Sequence, residues 1–486
     1  MSTLAPFQPS ESNPWDKSLA AHLLNRAGFG ALPEEVDQAV GWGLDRTVDH
    51  LVDFDKIPDT DLPPPEMPPF VDQVRKQTAG LSKEEQKKAV DKANRDNNEA
   101  IDKIRSWWVR RMIQTKRPLQ EKMTLFWHGH LTTSAEDVRQ ARLLLKQNQF
   151  LRDNCLGNFC DLLLGISRDP AMLQYLNNNT NRKKHPNENY ARELMELFSM
   201  GIGNYTEDDV KAAARAFTGW TYHEETFVFN DHEHDHGNKT YLGHSGDFDG
   251  SDVIEMILQQ ACTARFMAKK LLRFFVCDEP SEQEIDDLAL VIRSNNYEFK
   301  PVLRALFRSQ AFFSARAFRS QIKSPVQLVV GAARTLGVTV DEHALVMAMR
   351  GLGQDLLYPP TVKGWDGGET WINTQTLLLR YNFAGYLVDG EPSAPPVSAA
   401  ARKPSPHHFP LDRFGVPKTQ LEQICGREFD LNPAGLVDAL AGRLLYASLD
   451  PQGHQWLLEQ AQATPTLDRV SIVAHLIMSM PDYQIC

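Results

Sequence analysis

The chain of 486 residues is 42% hydrophobic and 24% charged, ordinary for a globular protein with room for a large core. A net charge of −11 argues against general nucleic-acid binding, which needs a clustered basic surface. Six cysteines with no C-x-x-C pair argue against a disulfide scaffold and a thiolate zinc site, and read as reduced, buried thiols. No run approaches the ~18 apolar residues of a membrane span. The start of the chain lacks the basic-then-apolar pattern of a secretory leader, so the expected location is the cytoplasm.

Taken in order, the chain reads mostly as helix. Residues 16–27 form a first helix closed by Gly28 and Gly30, and 33–40 begin a short second one. Residues 57–70 are proline-rich and irregular. Ser82 and Glu85 make a capping box. The charged helix after it, running toward Asn97 with little apolar face, predicts an exposed arm within 71–100. Residues 101–115 turn apolar and should dock on the core. Helices follow over 119–127, 135–150 and 154–166, and another opens at Pro170. Thr206 and Asp209 give a second cap signal. Residues 221–247 break the rhythm, with 227–229 and 239–242 as the strands of a small hairpin around a histidine-rich turn. Helices resume over 251–260, 263–275, 281–294, 299–308, 325–336, 341–351 and 374–388, with later ones at 436–447 and 470–479. Residues 390–410, rich in Pro, Ala and Ser, read as a linker or surface excursion. The expected fold is mainly α: one large multi-helix domain over the whole chain with a small β-hairpin insertion.

Four segments carry candidate chemistry. The first, His185 to Gly201, reads as one amphipathic helix. Leu194, Leu197 and Phe198 want a core, with Glu188, Arg192, Glu193 and Glu196 beside them. Ionisable groups so close to an apolar stripe are costly unless paired, metal-bound or catalytic. Glu193 and Glu196 share a face and can hold one raised-pKa acid beside one ionised carboxylate, or a metal. Asn187 and Asn189 can orient a ligand. Equally, Arg192 can clamp carboxylates in a structural network.

The second segment is Phe126-Trp-His-Gly-His130. His128 and His130 can meet one metal if Gly129 keeps the backbone extended; in a helix they face apart, one capping a C-terminus and one exposed. The third is His232-Glu-His-Asp-His-Gly237, where His234, Asp235 and Lys239 can line a metal or substrate loop, or decorate an exposed tip. The fourth pairs glycine with tryptophan at Trp220 and Trp365. An indole there can stack on a sugar ring in a cleft or plug the core. No P-loop, nucleophile elbow, H-E-x-x-H or dinucleotide fingerprint occurs.

These segments, with His22-Leu-Leu-Asn-Arg-Ala-Gly-Phe-Gly30, Pro170-Ala-Met-Leu-Gln-Tyr-Leu176, Tyr205-Thr-Glu-Asp-Asp-Val210, Lys363-Gly-Trp365 and Met480-Pro-Asp-Tyr-Gln484, resemble a bacterial family catalogued as domain of unknown function 1800. The resemblance runs nearly end to end. It implies a mostly helical protein without settled chemistry. It also implies relatives that look exported, often by a twin-arginine route, whereas this chain shows no such signal.

The leading expectation is an enzyme, with hydrolysis as the reaction class. Glu188, Arg192, Glu193 and Glu196 would be catalytic. Asn187, Asn189, Trp220, Lys239 and Trp365 would hold a hydroxylated, carbohydrate-like substrate, and His128, His130, His234 and Asp235 a divalent metal. The alternative is a non-catalytic assembly or maturation partner that binds another protein, with the charged helix as a salt-bridge network.

Overall fold

The computed structural model describes residues 2–11, 13–59, 62–338, 340–389, 432–447 and 449–486, so the 390–410 excursion and Cys425 lie outside the described residues. Within them the fold is mainly α. In chain order the helices are α1 (Lys17–Ala27), α2 (Pro33–Trp42), α3 (Leu44–Val52), α4 (Val71–Gln77), α5 (Lys83–Gln114), α6 (Pro118–His130), α7 (Ala135–Val138), α8 (Ala141–Asp153), α9 (Phe159–Ser167), α10 (Pro170–Tyr175), α11 (Asn189–Glu193) and α12 (Glu207–Ala216). Beyond two short hairpins come α13 (Gly250–Gln259), α14 (Ala261–Phe275), α15 (Glu282–Ser294), α16 (Phe299–Phe307), α17 (Pro325–Leu336), α18 (Glu342–Gly351) and α19 (Thr374–Asp389). Three C-terminal helices, Pro433–Leu445, Pro451–Ala463 and Arg469–Ser479, complete it. The middle one was not foreseen: its buried residues are only Leu457 and Ala461, too few to give a helical period.

The capping residues do what their chemistry dictates. Ser82 accepts from the Glu85 amide while Glu85 reaches back to Ser82, and Thr206 and Asp209 do the same for α12. The helix after Ser82 continues beyond the charged run. It runs unbroken for 32 residues into the docked segment. Its first turns are exposed, and from Ala93 onward one face is buried. Asn97, buried, donates to the Arg139 carbonyl (3.0 Å) and accepts from the Ala141 amide (2.9 Å), so a polar residue serves as the docking point.

Two hydrophobic clusters fill the interior. One gathers α3, α6, α9, α12, α14 and α16 around Trp127, Phe159, Phe198 and Leu271. The other gathers α5, α8, α17, α18, α19 and the C-terminal helices around Trp108, Leu144, Val329 and Leu345. Helix α6 serves both, giving Met123 and Trp127 to the first and Leu125 to the second.

Buried Glu121 on α6 ties this seam together. It accepts from Trp108 Nε1 (2.9 Å), Arg111 Nε (2.9 Å) and Arg152 Nε (2.8 Å). Burial pushes its carboxyl up, but Arg152 and Arg111 more than offset this and hold it below the usual range.

The strands differ from expectation. Residues 227–229 and 239–241 both form strands, but in separate hairpins: Trp220–His223 pairs with Thr226–Phe229, and Lys239–Tyr241 with His244–Gly246. Each closes through its own two-residue turn. Glu224 takes φ 54° in the first, and Leu242 and Gly243 take φ 45° and 83° in the second.

Candidate functional site

The segment His185 to Gly201 is helical only from Asn189, and after Glu193 it widens into a π turn over Leu194–Ser199. The helix ends at Ser199, so the Phe198 carbonyl in its last turn is free to accept from His130 Nε2 (2.9 Å). Arg192 is clamped, by Glu188 (3.1 Å) and by a bidentate pair to Glu207 (2.8 Å each) at the start of α12. Glu196 accepts from the Tyr205 hydroxyl (2.8 Å). Glu193 takes no hydrogen bond or ion pair among the described residues, and burial together with Glu196 raises its carboxyl. The Asn187 side chain accepts from the Asn189 amide, and Asn189 donates to the Leu176 carbonyl; both shape the turn.

His128 and His130 do not share a metal position. Gly129 does not break α6, so the two rings point to different neighbours. His128 Nε2 accepts from the Leu357 amide (3.2 Å), while His130 Nε2 donates to the Phe198 carbonyl. Both are buried, and burial lowers them to about 4 and about 3, so both are neutral at pH 7. Neither is the exposed residue of the capping alternative. The bond to Phe198 fixes the proton of His130 on Nε2, leaving an acceptor at Nδ1, which is buried with no partner among the described residues.

Trp220 is a core plug, 2% exposed, edge-on to Phe217 and Phe227, and not a substrate platform. Lys239 is also buried and pairs with Asp247 (2.9 Å). Asp235 is held by Arg215 (2.6 Å). His234, buried, keeps its loop position beside His236.

Trp365, whose ring lies 5.7 Å from that of His128, shares a cavity with His130. The cavity, of about 180 Å³, lies between α6, α14, the start of α17 and the loop 363–371. No residue of 187–196 or 232–239 lines it. The loop approaches α6 closely because it has glycine at 364: a Cβ there would lie 2.2 Å from the Gly129 carbonyl oxygen, at φ +83°. The walls are the indoles Trp365 and Trp371 with Phe126 and Phe274.

The cavity is cationic in an acidic chain. Lys122, Lys270, Arg273 and Lys363 face Asp278 and Asp366, and Lys363 is paired with Asp366. Lys122 is fully buried, donates to the Gly28 carbonyl (3.1 Å) and lies over the rings of Phe29 and Phe274. Burial lowers it to about 7. Burial, then Arg273 and Lys363, lower Lys270 to about 8. Asp278 moves the other way: burial raises it, against Arg273 and Arg26, and it accepts no hydrogen bond among the described residues. Acids and bases displaced in opposite directions around one cavity are the arrangement of acid–base sites. The lysines, Arg273 and Asp278 were missed from sequence, because nothing in spacing marks residues that meet only across α6 and α14.

The family model for a protein of unknown function, DUF1800, matches residues 22–485. The chain belongs to this family. No curated protein and no solved structure matches it. Residues of the segments that carry the resemblance sit in different places: His130 and Trp365 line the cavity, whereas buried His22 on α1 bonds the Phe312 carbonyl (3.0 Å).

No described helix is long and apolar enough to cross a membrane. The five described cysteines are free.

Proposed function

We propose that the chain is an enzyme whose substrate is a small, hydroxylated, ring-bearing anion held in the cavity between α6, α14 and the loop 363–371. The observation that carries this reading is the convergence there of Lys270, Arg273 and Lys122 with His130 and two indoles. Lysines near pH 7–8 are costly to keep beside a core, and such groups cluster at functional sites. On this reading Lys270 and Arg273 take the anionic group, Trp365 and Trp371 flank the ring, and His130 Nδ1 accepts from a hydroxyl. Asp278, its carboxyl raised, delivers a proton to a leaving oxygen while water takes that oxygen's place on the cleaved centre, and the proton the water sheds returns to Asp278, so the net change is hydrolysis. The carboxylates of 187–196 then serve the fold, with Glu193 beside Glu196 as the one remaining acid pair.

Calorimetric titration of the full chain with a hexuronic acid, a hexose phosphate and the neutral hexose tests it. The anions bind and the neutral sugar does not, and Lys270→Ala or Trp365→Ala weakens binding at least ~tenfold. Equal binding of the neutral sugar, or no binding by either anion, overturns it. The second reading, a protein-binding partner, is favoured by one observation: the clamp with Glu188 and Glu207 accounts for Arg192 and Glu188 without chemistry.

A further inference from the structure

The loop between the two hairpins holds a second constellation, separate from the cavity. One ligand atom each from His234, His236 and Asp247 lies within 4.8 Å of the others. We infer that these three residues form a binding site for a borderline divalent transition ion, of which zinc is the type. Two imidazoles and a carboxylate suit zinc, iron, cobalt or nickel, and poorly suit magnesium or calcium.

The protons are already arranged for it. A ligating histidine offers one nitrogen to the metal and gives its other N–H to an outer oxygen, which fixes ring and tautomer. Both histidines follow this pattern. His234 Nδ1 donates to the Thr218 carbonyl (2.9 Å), and its Nε2 has no partner among the described residues. His236 Nε2 lies 3.1 Å from the Asp231 carboxylate, while its Nδ1 faces Asp247 Oδ2 at 3.5 Å. The other oxygen of Asp247 is bonded by buried Lys239 (2.9 Å), which leaves a single oxygen for the ion.

The frame is rigid where it must be. His234 is 3% exposed, and the adjoining backbone is pinned by Asp235, which bonds Arg215, the Gly237 amide (2.8 Å) and, through its own amide, Thr218 Oγ1 (2.8 Å). Gly219 lets the loop close, since a Cβ there would meet the Asn230 carbonyl at 2.4 Å. Ligands ~2.1 Å from a common tetrahedral ion lie roughly 3.4 Å apart. Rotation of the two exposed side chains, His236 and Asp247, onto fixed His234 covers the difference.

The charges facing the site are Asp231 and Asp247 against Lys239, with Asp235 and Arg215 compensating each other. Lys239 opposes the ion, so binding is moderate and the remaining coordination position stays open to water or a ligand. The expected ligand Asp235 is replaced by Asp247, twelve positions on, which the second hairpin brings back to His236.

The test is titration of the chelator-stripped full chain with zinc, and with cobalt for its visible ligand-field spectrum. One equivalent binds, with imidazole-type cobalt bands. His236→Ala and Asp247→Asn weaken zinc at least ~tenfold and abolish the bands; His236→Ala, at an exposed position, leaves the metal-free melting temperature unchanged, whereas Asp247→Asn lowers it by leaving buried Lys239 without its carboxylate. His232→Ala, an exposed histidine of the same loop outside the set, changes nothing. The proposal is overturned if the wild type takes up no stoichiometric zinc, if His236→Ala and Asp247→Asn bind like wild type, or if His232→Ala loses the ion instead.

Discussion

Lys122 provides the sharpest check on the cavity, because its placement has a cost that varies with pH. In the fold its ammonium titrates near 7, against 10.5 for a free lysine. The unfolded chain therefore binds the proton more tightly throughout that window, and stability rises with pH across it. At ~1.4 kcal/mol per pH unit of separation, the folded state forgoes roughly 4 kcal/mol at pH 7. Raising the pH to 9 recovers about 2–3 kcal/mol of this, since free lysine then keeps only part of its advantage. The variant is Lys122→Met, which preserves the stem between Phe29 and Phe274 and removes the titration. Urea unfolding at both pH values gives the slope. Lys270 and Lys323 are lowered in the same direction and steepen both profiles alike, so the wild-type minus variant difference isolates Lys122. The wild type gains about 2–3 kcal/mol more than the variant between the two pH values. Parallel profiles would mean that Lys122 is not charged at a cost, and the argument for a maintained cationic cavity would fail with it. A bound anion favours the charged form, so anion affinity must run the other way and fall as pH rises through 7 to 9.

Other expectations follow from the same geometry. Glu121→Gln takes the carboxylate from Arg152 and leaves Arg111 only its pair with Asp59, and costs roughly 3–5 kcal/mol in denaturant unfolding. Because the folded carboxyl lies below its free value, the wild-type contribution is full above that free value and is lost as pH falls through the folded one; the variant has no such acid limb. Arg192→Ala removes partly exposed pairs only, so it costs about 0.2–1 kcal/mol and leaves anion binding intact; a loss of binding would return 187–196 to the site. Gly364→Ala forces a Cβ against the Gly129 carbonyl at a left-handed φ, and both thermal stability and cavity binding should drop; an unchanged protein would show that the loop is free to move.

What the sequence made legible divides along a physical line. Local signals were reliable: Ser82 with Glu85 and Thr206 with Asp209 marked helix starts because the cap is built within four residues. Signals that depend on what packs alongside were not. The charged run before Asn97 is largely solvated, as its composition says, but its unbroken continuation into the docked segment, where Asn97 bonds the backbone at Arg139 and Ala141, depends on what packs alongside. Trp220 and Trp365 stand in the same Gly-Trp setting, yet one is sealed by Phe217 and Phe227 while the other borders a cavity. His128 and His130 are two positions apart, and only the direction each takes from a continuous helix separates a satisfied acceptor from an open one.

The same distinction governs how charge should be read in this chain. The ionisable groups of 187–196 are dense because the residues are adjacent, and adjacency on a partly exposed helix is also the cheapest way to neutralise charge, as Arg192 does with Glu188, with Glu207 added from α12. Lys122, Lys270 and Asp278 lack such neighbours. Each is displaced by burial first, and each is retained where an apolar residue of similar volume would pack more cheaply. Uncompensated groups held around one cavity are therefore the stronger pointer to chemistry. Replacing Lys270 with Met should therefore leave the fold as stable or more so at pH 7, while binding of the anion falls. A protein that loses stability and binding together would instead place Lys270 among the structural charges.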